Sequence, residues 1–190
     1  MRTNYIEDQV FEKVNYTLTG LPVAEYDNCT FKNCDLSNVN LSHISFTQCS
    51  FDNCNLSLAL LGQTAFKEVK FTNCKMLGLH FEHCSDFLFE VSFDNCQLNM
   101  SVFYQRKMPK TIFNHCNVSE VDFTETNLSQ AVFTHCDLAG AMFDRTNLEK
   151  ADLSTAFNYT MDAEKNKIKK AKFSMPGVMG LLAKYDIKVV

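Results

Sequence analysis

A beat of five residues runs through nearly the whole chain and excludes both common secondary-structure periods. From Phe11 onward an apolar residue, usually Phe or Leu, returns at every fifth position, through Phe31, Leu36, Leu41, Phe46, Phe51, Leu56, Leu61, Phe66, Phe71, Met76 and Phe81. A single step of seven leads to Leu88, where the count resumes and runs Phe93, Leu98, Phe103, Met108, Phe113, Val118, Phe123, Leu128, Phe133, Leu138, Phe143, Leu148 and Leu153. An amphipathic helix and a half-buried strand repeat every 3.6 and every 2 residues, so neither produces this pattern. The slot two places earlier holds small residues, among them Ala59, Thr111, Val121, Thr126, Ala131 and Ala151, and eight of the nine cysteines fall in it, the ninth, Cys84, lying within the step of seven. The other three positions are mostly Asp, Asn, Ser, Thr, Lys or Glu.

Two residues in every five therefore face inward and three face water, as in a chain that turns a corner with each repeat. If four corners close one coil, like residues must recur every twenty positions. They do: Phe11, Phe31, Phe51 and Phe71 form one column, which Phe93, Phe113 and Phe133 continue after the slip. A second column holds Leu36, Leu56, Met76, Leu98, Val118 and Leu138, and a third Leu41, Leu61, Phe81, Phe103, Phe123 and Phe143. Cys34, Cys54, Cys74, Cys96, Cys116 and Cys136 also align. Such stacking predicts a solenoid whose coils pair through parallel backbone hydrogen bonds, each covering its neighbour's apolar edge.

The repeats read TNLSQ at 126–130, CDLAG at 136–140, TNLEK at 146–150 and ADLST at 151–155. This resembles the pentapeptide-repeat family over roughly residues 9–173. The resemblance implies an all-β fold, a right-handed quadrilateral parallel β-helix with a short C-terminal capping helix. The expected division is a rod over 1–173, with an N-terminal cap at about 1–10, and a terminal element over 174–190. About seven coils at roughly 4.8 Å each predict a rod of about 34 Å.

No run of eighteen apolar residues exists, and MRTNYIEDQV lacks a hydrophobic signal region, so the expected location is cytoplasmic, with no membrane contact. In that setting, an odd number of cysteines, all but one in an inward slot, predicts buried reduced thiols acting as small hydrophobes. The net charge of −4 conceals a split: residues 1–158 carry 19 acidic and 11 basic side chains, whereas 159–190 carry 3 and 7. An acidic body with inward aromatics argues against direct nucleic-acid binding, the cationic strip Lys165, Lys167, Lys169, Lys170 and Lys172 notwithstanding.

The sequence has no P-loop, no G-x-G-x-x-G, no G-x-S-x-G and no His-Glu-x-x-His. The reading is a protein that is not an enzyme and uses no cofactor and no metal. In the pairs His83-Cys84, His115-Cys116 and His135-Cys136 the thiol faces inward and the imidazole outward, so the two cannot converge on one ion. His115 and His135 do fall on consecutive coils, one above the other.

Two irregularities interrupt the beat. One is the seven-residue step in HFEHCSDFLFEVSF; the other is Tyr104-Gln105-Arg106-Lys107-Met108-Pro109-Lys110, which places Arg106 in the small inward slot. An unpaired inward charge costs several kcal/mol. Asp86, twenty residues earlier and counted in the same slot, is the expected partner of Arg106. This corner is a candidate recognition feature, with Asp86, Tyr104, Arg106, Lys107 and Met108 as contact groups; a tolerated insertion is the competing reading.

Ala163, Ile168 and Phe173 carry the beat one coil further before Met175-Pro176-Gly177 stops it. Residues 178–185 read as a short helix and 187–190 as a brief strand. Their apolar side chains exceed what one cap needs, which makes Met179, Leu182, Tyr185, Ile187 and Val189 candidates for a two-fold homodimer contact. Asn166, Ile168, Ala171, Phe173, Leu181, Leu182, Ile187 and Val189 resemble the tail of Qnr-type quinolone-resistance proteins. That resemblance implies an end-to-end dimer about 70 Å long, shaped and charged like B-DNA, that binds DNA gyrase or topoisomerase IV and modulates it or protects it from quinolones. The alternative is a cytoplasmic scaffold or adaptor without topoisomerase activity.

Overall fold

Corners are made one residue at a time. Asn28 (φ 49°), Asn33 (φ 53°), Asn53 (φ 52°) and Asn73 (φ 54°) hold left-handed backbone at successive turns of the chain, a region that Asn enters more readily than most residues. The Asp or Asn ahead of each inward Leu has a separate task. Its side-chain oxygen accepts from the backbone N–H two residues on, as Asp35 does for Ser37 (3.0 Å), Asn127 for Ser129 (3.0 Å) and Asn147 for Glu149 (3.0 Å), which fixes a local turn.

The structure, a computed structural model, describes residues 4–188. It is a four-sided parallel solenoid. One side is a four-stranded sheet of β1 (Asn4–Glu7), β3 (Ala24–Asp27), β5 (Ser45–Thr47) and β7 (Ala65–Lys67). Another is a nine-stranded sheet of β2 (Val10–Glu12), β4 (Thr30–Lys32), β6 (Ser50–Asp52), β8 (Val69–Thr72), β9 (Val91–Asp94), β10 (Ile112–Asn114), β11 (Val132–Thr134), β12 (Asp152–Leu153) and β13 (Lys172–Phe173). The remaining sides pair through single-residue bridges such as Asp35 with Asn55 and Val102 with Asp122. Register follows the twenty-residue column: Phe31 faces Phe51, Phe51 faces Phe71, and Phe113 faces Phe133. Nine strands at roughly 4.8 Å make a rod of about 38 Å, a little longer than expected.

The core is a set of stacked rings. Phe31 and Phe51 lie 4.7 Å apart at 7°, and Phe113 and Phe133 lie 4.7 Å apart at 2°. A second aromatic column meets the first edge-on, and it changes sides along the rod. Tyr26, Phe46 and Phe66 supply it in the lower coils; Phe81, Phe103, Phe123 and Phe143 supply it above. Leu and Met fill the corner that the aromatics vacate, so each coil keeps a similar volume. All nine thiols are free and buried. The Sγ atoms of Cys34, Cys54, Cys74 and Cys96 each donate to a carbonyl of the adjacent coil at 3.4 Å.

Three expectations need correction. Within the cap expected over about 1–10, the chain from Asn4 on already belongs to the first coil: β1 and β2 pair in register with Ala24–Asp27 and Thr30–Lys32. The helix expected over 178–185 is α1 (Val178–Leu182) followed by a 3-10 turn at Ala183–Tyr185. Ile187 and Lys188 are in no strand, while Val189 and Val190 lie outside the described residues. Among the described residues no helix is long and apolar enough to cross a membrane.

Candidate functional site

The irregular corner is built around a buried guanidinium. Arg106 is 3 % exposed. Its Nη1 donates to Cys84 O at 2.9 Å, its Nη2 donates to Ser85 O at 2.9 Å, and Nη1 also lies 2.9 Å from Asp86 Oδ1. The ring of Phe89 covers it at 4.3 Å, a cation–π contact sheltered from water. The column therefore pairs Arg106 with Asp86, but Cys84, not Asp86, holds the inward slot; Asp86 reaches across from the surface with 87 % of its side chain exposed. Burial pushes the Cys84 thiol up to about 12, against the opposing pull of Arg106. The beat does not resume at Leu88, which is 64 % exposed at φ 55°. Phe89 turns inward instead, against Phe81, and the two additional residues bulge out before Val91.

Of the five candidate contact groups, Asp86, Tyr104 and Lys107 are exposed. Arg106 and Met108 are buried, so neither can touch a partner directly. Both point inward because the beat is unbroken through 104–110, and the bulge of the preceding coil opens the room that the guanidinium fills.

Charge is arranged by side and by height. Glu120, Asp122, Glu125, Asp144, Asp162 and Glu164 gather towards the C-terminal end, where Arg145 bridges Glu125 and Asp144 at 2.9 and 3.4 Å. The adjoining side carries Lys107, Lys110, Lys150, Lys167, Lys169 and Lys170 at that end, and Glu7, Asp8, Glu25 and Asp27 at the other.

The terminal helix is seated by glycine. A Cβ on Gly177 would run into the Tyr159 hydroxyl, and one on Gly180 into the Tyr159 carbonyl oxygen. Met161 N–H donates to Gly180 O at 3.1 Å, and Leu181 packs on the core. Lys184 bridges Asp162 at 2.7 Å and Glu164 at 2.9 Å, which raises its own pKa and lowers both carboxyls. Met179, Tyr185 and Ile187 stay exposed and Leu182 is half-buried, whereas Val189 lies outside the described residues.

The structure also brings together a set that sequence reasoning left aside. His80, Glu82 and His83 offer ligand atoms that all lie within 4.8 Å of one another. The string HFEH carries the signal, two histidines three apart with a carboxylate between them. The rings of His115 and His135 lie 5.0 Å apart, tilted by 37°, and no third ligand joins them among the described residues.

A family model described as the pentapeptide repeat region matches residues 24–87 and 85–156, well over half of the chain. No protein of curated function matches the sequence. Among solved structures, full-length QnrB1, a plasmid-mediated fluoroquinolone resistance protein, is 17 % identical, with 97 % of this chain and 100 % of that chain covered and a TM-score of 0.50. HetL, a pentapeptide-repeat protein involved in heterocyst differentiation regulation from the cyanobacterium Nostoc, is 15 % identical, with 91 % and 87 % covered and a TM-score of 0.41.

Proposed function

The chain belongs to the pentapeptide-repeat family, and from that premise we propose that it is a non-enzymatic, cytoplasmic, protein-binding rod, dimeric through its C-terminal end, that acts as a DNA mimic. Its target in this reading is a type II topoisomerase, DNA gyrase or topoisomerase IV, whose activity it modulates or which it protects from quinolones. The observation that carries the proposal is the carboxylate cluster of Glu120, Asp122, Glu125, Asp144, Asp162 and Glu164 on successive coils. These charges rise by roughly 4.8 Å per coil, against about 3.4 Å per phosphate along one DNA strand. Because Lys184 and Tyr185 tie the cluster's Asp162 and Glu164 to the terminal segment that bears the exposed Met179, Tyr185 and Ile187, a tail-to-tail dimer brings two clusters together into a longer negative stretch. Such a stretch complements the cationic groove in which a topoisomerase holds DNA.

One observation favours the other reading, a scaffold or adaptor. The side bearing Lys107, Lys110, Lys150 and Lys167 is cationic beside the carboxylates, so negative charge is confined to part of the circumference. An adaptor would instead use the bulged corner, through Asp86, Tyr104 and Lys107.

A gyrase supercoiling assay, with and without a fluoroquinolone, separates the two. Inhibition or drug protection that rises with micromolar protein and disappears in the D122K/D144K variant supports mimicry. Absence of both effects supports the adaptor.

A further inference from the structure

We propose that His80, Glu82 and His83 form a binding site for a divalent transition-metal ion of the zinc type. The turn that carries them is held from both sides. Phe81, between the two ligating positions, is fully buried and stacks on Phe103 at 4.4 Å. Cys84 N–H donates to Phe81 O at 2.9 Å, and Gln63 N–H of the coil below donates to His83 O at 2.8 Å. With the backbone so fixed, the three side chains meet at small entropic cost.

Their spacing suits a tetrahedral ion. Bonds of about 2.0–2.1 Å place ligand atoms about 3.3 Å apart. His80 Nδ1 lies 2.7 Å from Glu82 Oε1, and His83 Nε2 lies 3.8 Å from the same oxygen, so small side-chain rotations bring all three to one centre. The imidazole ring centroids are 5.6 Å apart and the ring planes only 14° from parallel. The carboxylate points the same way: Glu82 Oε1 meets the His80 ring at 2.7 Å, whereas Glu82 Oε2 is buried with no hydrogen-bond partner among the described residues, an acceptor that a bound cation would satisfy. Two imidazoles with one carboxylate select zinc-like ions over magnesium or calcium, which prefer oxygen alone.

Three protein ligands leave the fourth position to water. Space exists for it: the site borders a groove of about 410 Å³ beside Leu60, Gly62 and Gly78. A Cβ at Gly78 would meet the Leu58 side chain at 2.9 Å, so a larger residue there would crowd the groove. The nearest thiol, Cys84, is buried in the core and takes no part.

The site lies on the same side as the carboxylate cluster, two coils below Asp122, but shares no residue with it, and its test does not depend on any topoisomerase. Metal-stripped protein is titrated with ZnCl2 and, separately, with MgCl2 by calorimetry, and with CoCl2 by absorption. The expected result is one zinc per chain with a dissociation constant on the order of 1 µM or tighter, no response to magnesium, and a cobalt spectrum free of thiolate charge transfer. H80A/H83A alters two exposed side chains and should keep the native circular dichroism while weakening zinc binding by more than about 100-fold, beyond the loss of an outer-shell partner. H115A/H135A should bind as the wild type does. The proposal is overturned by a wild type that takes up no zinc, by binding that survives in H80A/H83A, or by thiolate charge transfer with cobalt.

Discussion

At the scale of single residues, the core tolerates one full charge because every neighbour of Arg106 except Nε's surroundings answers it. Two carbonyls, a carboxylate and an aromatic face compensate the guanidinium. The partners differ in worth. Asp86 is mostly in water, where a single ion pair contributes about 0–1 kcal/mol, whereas truncating Arg106 strands buried carbonyls and opens a cavity, costing about 2–4 kcal/mol. Urea unfolding should therefore show a large fall in midpoint for R106A and a small one for D86N. Equal losses would mean that the carboxylate, not the carbonyls, holds the corner. The pairing itself was legible from the column offset, because stacked coils place like slots together. Which residue filled the slot was not legible, since counting from Leu88 assumed that the step of seven fell in one place; the chain instead keeps the old count through Cys84 and expels 86–88.

Among the elements, the C-terminal helix shows how a short segment with little propensity of its own is retained. α1 has five residues, too few to be stable alone, so Gly177, Gly180 and Leu181 dock it and Lys184 clamps its end. The lowered pKa values of Asp162 and Glu164 fix the sign of the pH effect. A carboxylate held below its unfolded value contributes stability that is complete above that value, about 4, and fades as pH falls through the folded one. The Met161 amide, which donates to Gly180 O, reports docking by NMR. Its resonance should be constant from neutral pH down to about 5 and shift below about 4, and K184A should remove most of that step. The helix was readable from Pro176 and the apolar run, but its conversion to a 3-10 turn at Ala183 was not. That change is set by the reach of Lys184 and Tyr185 back to Asp162 and Glu164, a tertiary pull that no local pattern encodes.

For the whole molecule, the rod ends in an apolar surface that the described residues leave uncovered. Sedimentation equilibrium should find a dimer for the wild type and a monomer with unchanged circular dichroism for M179D/I187D; a wild-type monomer at tens of micromolar would leave that surface to another partner. The four-sided stack was the most legible level, because each column repeats the same requirement many times and errors in one coil are outvoted by the rest. The bulge has a consequence for orientation. Val69 pairs with Val91 at an offset of 22, and Phe93 pairs with Phe113 again at 20, so the surplus chain leaves and rejoins at one edge without rotating what lies beyond it. Upper and lower halves share one compass bearing about the long axis. A molecule gripping both would notice a longer or shorter excursion only as a change in what projects there, whereas deleting a single quintet would swing one half past the other by a quarter of a revolution.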